Sequence, residues 1–217
     1  MMISKDKKCI FIHIPKTAGT SIEKMIQGEK YIKGWSSHQK INEYQDDDKF
    51  HEYFKFSFVR NPYERILSVF NYYKNRGNDK DLIYQPKKIL DYFYKKMTTT
   101  KIFDIDISKK IPHEFDEFCE LYIKEKLDFY GRNALDTQIS FLSIDNNIEV
   151  DFIGRFEKLQ KDIEYIKDYL GFKASLGHQR KTKTKSRSHY SSFYNDFTKK
   201  IIKEAYGEEI ELFKYKF

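Results

Sequence analysis

A short apolar run that leads directly into a polar turn constrains the fold of this chain more than any other stretch. The run extends from Cys9 to Ile14, and Pro15 interrupts it before a lysine and three hydroxyl residues that end at Ser21. From about Ile22 the apolar residues recur at helical spacing, which predicts a strand, a tight turn and a helix N-terminus. Unpaired N–H groups and the helix dipole favour an anion at such a terminus. The stretch therefore predicts a binding site for a phosphate or sulfate group.

The same order of strand, turn and helix occurs a second time. Residues 53–59 are apolar and aromatic, and they lead through Arg60 into Asn61-Pro62 and a helical pattern. Asn61 is a good helix cap, and Pro62 suits the first helical position. A third strand is predicted at 150–154. Because strand and helix alternate and the first strand is apolar on both faces, we expect an α/β fold with a short parallel sheet flanked by helices.

The other predicted elements are helices. They are a short helix near 38–45, a helical insertion near 86–97, a helix from Phe115, a helix that stops at Gly171, and a last helix from about Ser192 to Tyr206. No repeat or Pro- or Gly-rich linker divides the chain, so residues 1–217 are expected to form a single domain. Residues 77–130 are predicted to be a helical insertion.

Charge and cysteine content limit the class of protein. Lys and Arg number 40 against 33 Asp and Glu, and this surplus favours an anionic ligand without distinguishing a nucleotide from nucleic acid. Cys9 and Cys119 lack the spacing of a disulfide framework or a metal site, and Cys9 is expected in the core. No window approaches the roughly 18 apolar residues of a membrane span, and the charged N-terminal residues do not resemble a signal peptide. We therefore expect a cytoplasmic protein without a bound metal.

The order of residues in the first turn distinguishes it from a common nucleotide-binding loop. In a Walker A loop the lysine follows the second glycine, whereas Lys16 here precedes Gly19. The segment Pro15-Lys-Thr-Ala-Gly-Thr-Ser21 after a strand resembles the 5′-phosphosulfate loop of sulfotransferases that use 3′-phosphoadenosine 5′-phosphosulfate (PAPS). The resemblance implies that the donor is bound by Lys16, Thr17, Ala18, Gly19, Thr20 and Ser21.

The second turn resembles another motif of the same family. The segment Phe58-Val-Arg-Asn-Pro-Tyr-Glu-Arg-Ile-Leu-Ser68 is similar to its 3′-phosphate motif, which implies that Arg60 and Ser68 bind that phosphate. Arg60 leaves a strand end, where we expect its guanidinium to be free for two parallel bonds to a phosphate. Arg65 is interpreted as a helix-surface or structural ion-pairing residue. Ligands of open α/β sheets bind beyond the carboxyl ends of the strands, where both motifs lie.

The C-terminal half resembles the carbohydrate branch of these enzymes, which includes heparan-sulfate 2-O-sulfotransferase and bacterial sulfotransferase family 2. Three segments carry this resemblance: Asn133–Gln138, Asp151–Glu157 and Glu209–Phe217. A basic loop at 178–185 resembles one that closes over the nucleotide, although a solvated charged surface is the alternative interpretation. The resemblance implies that the loop residues that bind the nucleotide are Arg180, Lys181, Thr182, Lys183 and Lys185.

The catalytic base has several candidates. The resemblance implies a histidine between the two motifs, and this interval contains two histidines and two carboxylate rivals: His38, His51, Glu43 and Glu52. We prefer His38 because the surrounding Trp35-Ser-Ser-His-Gln-Lys-Ile41 resembles bacterial relatives. His51 is expected at the surface. His13, within the first strand, is interpreted as a core histidine whose polar atoms are satisfied.

These features predict a PAPS-dependent sulfotransferase of P-loop-like fold that acts on a hydroxyl group, which we expect on a saccharide or glycoconjugate. The insertion at 77–130 is expected to contribute to the acceptor site. The product nucleotide is then 3′-phosphoadenosine 5′-phosphate (PAP). Lys16 is expected to stabilise the leaving phosphate, and His38 to accept the hydroxyl proton. Two other functions fit the residues less closely. One is a protein that binds a nucleotide or polyanion without catalysis; the other is a nucleic-acid-binding protein, whose affinity would depend strongly on salt.

Overall fold

The structure covers both polar turns and most of the predicted sheet. The computed structural model describes residues 2–28, 38–76, 112, 114–124, 133–171 and 189–217. The helix predicted near 86–97 and the basic residues between Arg180 and Lys185 lie outside the described residues.

A four-stranded sheet brings the two turns side by side. In order of pairing, its strands are β1 (Ile3–Ser4), β2 (Cys9–Ile12), β3 (Phe54–Val59) and β6 (Phe152–Arg155). Strands β2, β3 and β6 are parallel, which confirms the predicted parallel sheet, and β1 pairs antiparallel with β2. The short β1 is not among the predicted strands, because two residues are too few to show an alternating pattern. A separate hairpin consists of β4 (Ser143–Ile144) and β5 (Asn147–Ile148).

The helices follow the strands in the predicted order. The α-helices are α1 (Gly19–Gln27), α2 (Pro62–Arg76), α3 (Phe115–Phe118), α4 (Gln138–Leu142), α5 (Leu159–Leu170) and α6 (Asp196–Leu212). A π-helical segment, Cys119–Lys124, continues α3, and short 3-10 helices lie at Ile41–Tyr44, Phe156–Lys158 and Tyr190–Phe193. Among the described helices, none combines the length and the apolar character needed to cross a bilayer.

Successive residues of β2 face opposite sides of the sheet, and both sides are covered. Cys9 and Phe11 pack with α1 and α5, whereas Ile10 and Ile12 pack with the 3-10 helix Ile41–Tyr44 and with α4. Cys9 is fully buried, as expected. The described residues thus form a mixed α/β domain with a sheet flanked by helices, which explains why β2 is apolar on both faces.

A third apolar cluster joins α2, α3 and α6. It includes the buried side chains of Phe115, Phe118, Cys119 and Tyr122, which belong to the described part of the predicted insertion 77–130. This part of the insertion is therefore core structure. A contribution of the rest to an acceptor site stays a prediction.

The last helix differs from its predicted range of Ser192 to Tyr206. It begins only at Asp196, because Asn195 and Thr198 form a reciprocal cap in which each side chain accepts a hydrogen bond from the other's backbone N–H. It then continues to Leu212 through a kink with non-helical dihedral angles at Tyr206. The added turns carry Glu209, which becomes important for the second polar turn.

Candidate active site

The first polar turn joins β2 to α1 through two left-handed residues. Lys16 and Ala18 both have a φ of 72°, a conformation that costs a non-glycine residue about 1–2 kcal/mol. Strain of this kind occurs frequently at ligand-binding sites. The turn leads into α1 at Gly19, earlier than the predicted start near Ile22, and the first turn of α1 contains no acidic side chain. Because Ala18 has no polar side chain to cap the helix, the N–H groups at its start are suited to bind an anion.

Hydroxyl groups of the first turn have different surroundings. Thr17 is fully buried, and its Oγ1 donates a hydrogen bond to the carbonyl oxygen of Ile14 at 2.9 Å. A contribution of Thr17 to ligand binding would therefore come from its backbone N–H. Thr20 and Ser21 are half-buried in the first turn of α1, so their hydroxyls are the better candidates for ligand contacts.

A histidine at the end of β2 occupies the space beside Gly19. A Cβ atom added to Gly19 would lie 2.0 Å from Nε2 of His13, so this position requires glycine. Nδ1 of His13 lies 2.8 Å from Oε1 of Glu23, and both side chains are buried. His13 is therefore a satisfied core histidine, as predicted, and its ring contacts the start of α1.

His38, the preferred base, lies next to this histidine. The two rings meet edge-on, with 4.5 Å between the centroids of His13 and His38. His38 is half-buried, and the segment that follows it is attached to a more distant part of the chain by an ion pair of 2.6 Å between Lys40 and Asp136. The fold thus brings His38 close to the first turn.

The three rival bases are all exposed. Oε1 of Glu43 accepts a hydrogen bond from the N–H of Lys40 at 2.8 Å, and Glu52 forms an ion pair with Lys49 at 3.2 Å. His51 lies at the surface, as expected. His38 therefore has a more protected setting than these three groups.

Lys16 extends over an aromatic ring of α2. Its Nζ atom is 4.4 Å from the centroid of the ring of Tyr72, which is half-buried. A cation–π contact at a partly exposed site contributes only about 0.5–1 kcal/mol, so an anion can compete for the ammonium group. Sequence reasoning missed Tyr72, since a tyrosine on an amphipathic helix gives no sign of this contact.

The side chain of Arg60 connects the second turn to the first. Its Nη1 donates to the carbonyl oxygen of Lys16 at 3.2 Å, and its Nε donates to Oε2 of Glu64 at 3.2 Å. The guanidinium also stacks on the ring of Phe156, at 4.0 Å from the centroid. Burial lowers the pKa of Arg60, and the carboxylate of Glu64 opposes this shift. The expectation of a free guanidinium is wrong, because Glu64 and Lys16 already orient it; these bonds use two of its five N–H donors.

The backbone of the second turn is held by residues from the C-terminal half of the chain. Oε1 of Gln138 accepts a hydrogen bond from the N–H of Arg60 at 2.8 Å, and Nε2 of Gln138 donates to the carbonyl of Arg60 at 2.9 Å. Oε1 of Glu157 accepts from the N–H of Asn61 at 2.7 Å, and Nδ2 of Asn61 donates to the carbonyl of Lys216 at 2.8 Å. The segments that carry the C-terminal resemblance therefore meet at this turn.

Asn61 also caps α2, as predicted. Its Oδ1 accepts a hydrogen bond from the N–H of Tyr63 at 3.1 Å, and Pro62 is the first residue of the helix. Asn61 thus joins the helix start to the carbonyl of Lys216 through a single side chain.

A buried carboxylate lies behind Gln138. Glu209 is fully buried, its Oε1 accepts from Nε2 of Gln138 at 3.0 Å, and its Oε2 accepts from the N–H of Gln138. Burial raises the pKa of Glu209, whereas Arg65 and the bonds from Gln138 oppose this shift. Sequence reasoning gave Glu209 no role, although it is the first residue of the third C-terminal segment. Its partner is 71 residues away along the chain.

Arg65 is completely buried, so of its two interpretations the helix-surface one is wrong and the structural one fits better. Its Nη1 donates to the carbonyl of Ala134 at 3.0 Å and its Nη2 to the carbonyl of Asp136 at 2.6 Å. Arg65 therefore has a structural role, which is to attach the segment that carries Gln138 to α2.

The ligand roles of the other predicted residues stay predictions. Ser68 is half-buried on α2. Within the described ranges, no three histidine, cysteine, aspartate or glutamate side chains are grouped so that they could hold a metal ion.

One comparison with known proteins gives a match. No curated protein and no solved structure matches the chain. The sequence model of the Sulfotransferase family (sulfotransferase family 2) matches residues 1–216, which is almost the whole chain of 217 residues. The chain therefore belongs to the sulfotransferase family.

Proposed function

We propose that this sulfotransferase transfers a sulfuryl group from PAPS to the hydroxyl group of a saccharide or glycoconjugate. The observation that carries the proposal is the contact between the two polar turns, in which Nη1 of Arg60 donates to the carbonyl of Lys16 at 3.2 Å. PAPS carries a phosphosulfate on its 5′ carbon and a phosphate on its 3′ carbon, so its recognition requires two neighbouring anion sites. Two such turns at the ends of adjacent parallel strands meet this requirement.

The first turn suits the 5′-phosphosulfate. The left-handed residues Lys16 and Ala18 curve the backbone into a shape in which successive N–H groups can face one anion. The positive end of the α1 dipole and the ammonium group of Lys16 add charge of the right sign. Thr20 and Ser21 supply half-buried hydroxyls in the same helical turn.

The second turn suits the 3′-phosphate. Arg60 is already oriented by Glu64 and Lys16, so binding a phosphate through its remaining N–H groups requires little further ordering. Ser68 is the predicted second ligand of this phosphate, and the basic residues between Arg180 and Lys185 are predicted to cover the nucleotide. A P-loop-like arrangement, with the ligand beyond the carboxyl ends of β2 and β3, accommodates these roles.

The chemistry follows from what in-line sulfuryl transfer requires. PAPS supplies the sulfuryl group and a phosphate leaving group. A new bond forms between the acceptor oxygen and sulfur, the bond from sulfur to the 5′-phosphate oxygen breaks, and the hydroxyl proton moves to the imidazole of His38. The ammonium of Lys16 and the N–H groups at the start of α1 stabilise the charge that develops on the leaving phosphate. The ring of His38 lies against that of His13, whose Nδ1 is hydrogen-bonded to Glu23.

Transfer of radiolabelled sulfuryl from PAPS to a mixture of saccharides tests the proposal. Lys16→Ala should lower the transfer rate by about a hundredfold or more, because the leaving phosphate loses its cation. His38→Ala should lower it by a similar factor, because the hydroxyl proton loses its acceptor.

Matched control variants separate these roles from general effects of charge and surface change. Lys24→Ala removes an exposed lysine from α1, and His51→Ala removes the exposed histidine of the same interval. Both should keep transfer within about twofold of wild type. Tight binding of PAP without transfer to any acceptor would instead indicate a binding protein, and equal activity of Lys16→Ala and wild type would contradict the proposal.

A further inference from the structure

The backbone of Arg60 is held on both sides by one amide group. Val59, the last residue of β3, still pairs with Arg155 of β6, and Arg60 is the first residue beyond the strand. The N–H and the carbonyl of Arg60 bond to Oε1 and Nε2 of Gln138 at 2.8 and 2.9 Å. A side-chain amide thus continues the strand pairing for one residue, at the place where the predicted 3′-phosphate ligand leaves the sheet.

Glu209 determines which way this amide points. Both oxygens of the Glu209 carboxyl group accept hydrogen bonds from Gln138, one from its backbone N–H and one from its NH₂ group, so the NH₂ group faces Glu209. Oε1 of Gln138 then faces the N–H of Arg60, which is the orientation that the Arg60 backbone requires. Glu209 and Gln138 are both fully buried, so their hydrogen bonds to each other lie away from solvent.

A glutamine could not replace Glu209 in this role. A glutamine would present its own NH₂ group to one of the two N–H donors of Gln138, or allow the amide of Gln138 to rotate. The nearby Arg65, which opposes the rise of the pKa of Glu209, is also anchored to the segment that leads into Gln138. The buried carboxyl group is therefore built into the support of a single backbone position.

From this arrangement we infer that Gln138 and Glu209 are positioning residues that fix Arg60 for recognition of the 3′-phosphate. The inference rests on the proposed use of PAPS as donor. Arginine recognises phosphate through two parallel N–H bonds in one plane, so a shift of its backbone misaligns both of them. The first turn also has local bonds of its own, from Thr17 to Ile14 and from Ser21 to Ala18, in addition to the bond from Arg60 to Lys16, so recognition of the 5′ group should depend on this network much less.

Nucleotide affinities of Gln138→Met test the inference, because methionine has a similar length and forms no comparable hydrogen bonds. Calorimetry would compare PAP with adenosine 5′-phosphate, which lacks the 3′-phosphate. We expect the variant to bind PAP about tenfold more weakly than wild type and to bind adenosine 5′-phosphate within about twofold of wild type. The preference for PAP over adenosine 5′-phosphate should therefore decrease about tenfold.

The chain offers a matched control in Gln160→Met. Gln160 is an exposed glutamine of α5 whose amide also bonds to a glutamate, Glu164, at 3.1 Å. This variant should keep the preference of wild type. If Gln138→Met does not fold, Glu209→Gln serves in its place, and its preference for PAP should decrease at least threefold.

The possible outcomes are distinct. An unchanged preference in a folded variant, or an equal loss of affinity for both nucleotides, would overturn the inference and leave Gln138 with a structural role only. A wild-type protein without any preference for PAP would contradict the proposed function instead.

Discussion

The two polar turns lie at the ends of neighbouring strands, yet they are stabilised in opposite ways. The first turn depends on residues close to it in sequence, such as the bond from Thr17 to Ile14, three positions away. The second turn depends on Gln138, Glu157 and Lys216, which are 78, 96 and 155 residues away from their partners. Apart from one distant bond, from Arg60 to the carbonyl of Lys16, the first turn is thus encoded locally at the cost of a strained backbone, and the second acquires its shape only from the complete fold. The first turn should therefore be sensitive to substitutions of its own residues, and the second turn to substitutions far from it in sequence.

The largest effect is expected from Gly19→Ala, which tests the local turn. The added Cβ would overlap the ring of His13, whose buried bond to Glu23 would have to break. We expect the free energy of unfolding to fall by about 3 kcal/mol, measured by urea denaturation. Gly207→Ala is the control, since a Cβ at Gly207 would meet no atom within 4 Å. That variant should be as stable as wild type or more stable by up to about 1 kcal/mol.

If Gly19→Ala were no less stable than Gly207→Ala, the first turn would not be held by tight local packing. The claim that the first turn is stabilised by residues close to it in sequence would then be wrong.

An intermediate effect is expected from Arg65→Met, which tests the distant support. The change leaves the carbonyls of Ala134 and Asp136 without their donor, and the free energy of unfolding should fall by about 2 kcal/mol. Hydrogen exchange at the N–H of Arg60 should become faster, because the segment that carries Gln138 is loosened. Exchange at the N–H of Ser21, which bonds within the first turn to Ala18, should not change.

Arg65→Lys provides the comparison for this variant, since it keeps a positive charge near Glu209 but cannot reach both carbonyls in the same geometry. Its loss of stability should lie between those of wild type and Arg65→Met. Faster exchange at both Ser21 and Arg60 would mean that the two turns share their support.

The smallest effect concerns pH. Burial raises the pKa of Glu209 above its ordinary value of 4.5, so between these two pKa values the folded protein binds a proton more tightly than the unfolded chain. Stability from this group is present at low pH and is lost as the pH rises through that window. Relative to Glu209→Gln, wild type should therefore lose stability as the pH rises above 4.5, as measured by urea denaturation at a series of pH values. Glu211→Gln, an exposed change on the same helix, should parallel wild type; equal pH dependence in all three proteins would refute the assignment.

Local sequence patterns were sufficient to predict the strands and helices that carry the candidate site. An apolar run before Pro15 and another before Asn61-Pro62 predict two parallel strands with helices after them, because these signals involve only neighbouring residues. Lys16 and Arg60 were selected as ligand residues from the same short stretches and from their resemblance to the family's motifs, and these roles stay predictions. The bounds of α1 and α6 were less predictable, since a left-handed Ala18 and the reciprocal cap at Asn195 determine where these helices begin.

The contacts that assemble the site were not predictable from one sequence. Arginine is rarely buried, which made a surface position the natural interpretation of Arg65. Likewise, the pairing of Gln138 with Glu209 and the contact of His38 with His13 join segments that sequence periodicity cannot relate. These contacts follow from tertiary packing, and the nearby residues do not specify them.

The bond between Asn61 and the carbonyl of Lys216 has a consequence for synthesis of the protein. The two residues are 155 positions apart, so at roughly 5–20 residues per second the ribosome adds the partner of Asn61 roughly 8–31 s after Asn61 itself. The bond from Thr17 to Ile14 can form as soon as this stretch of the nascent chain is free to fold. During translation the protein therefore has a stage at which this local bond of its first polar turn can already form while its second turn still lacks a support.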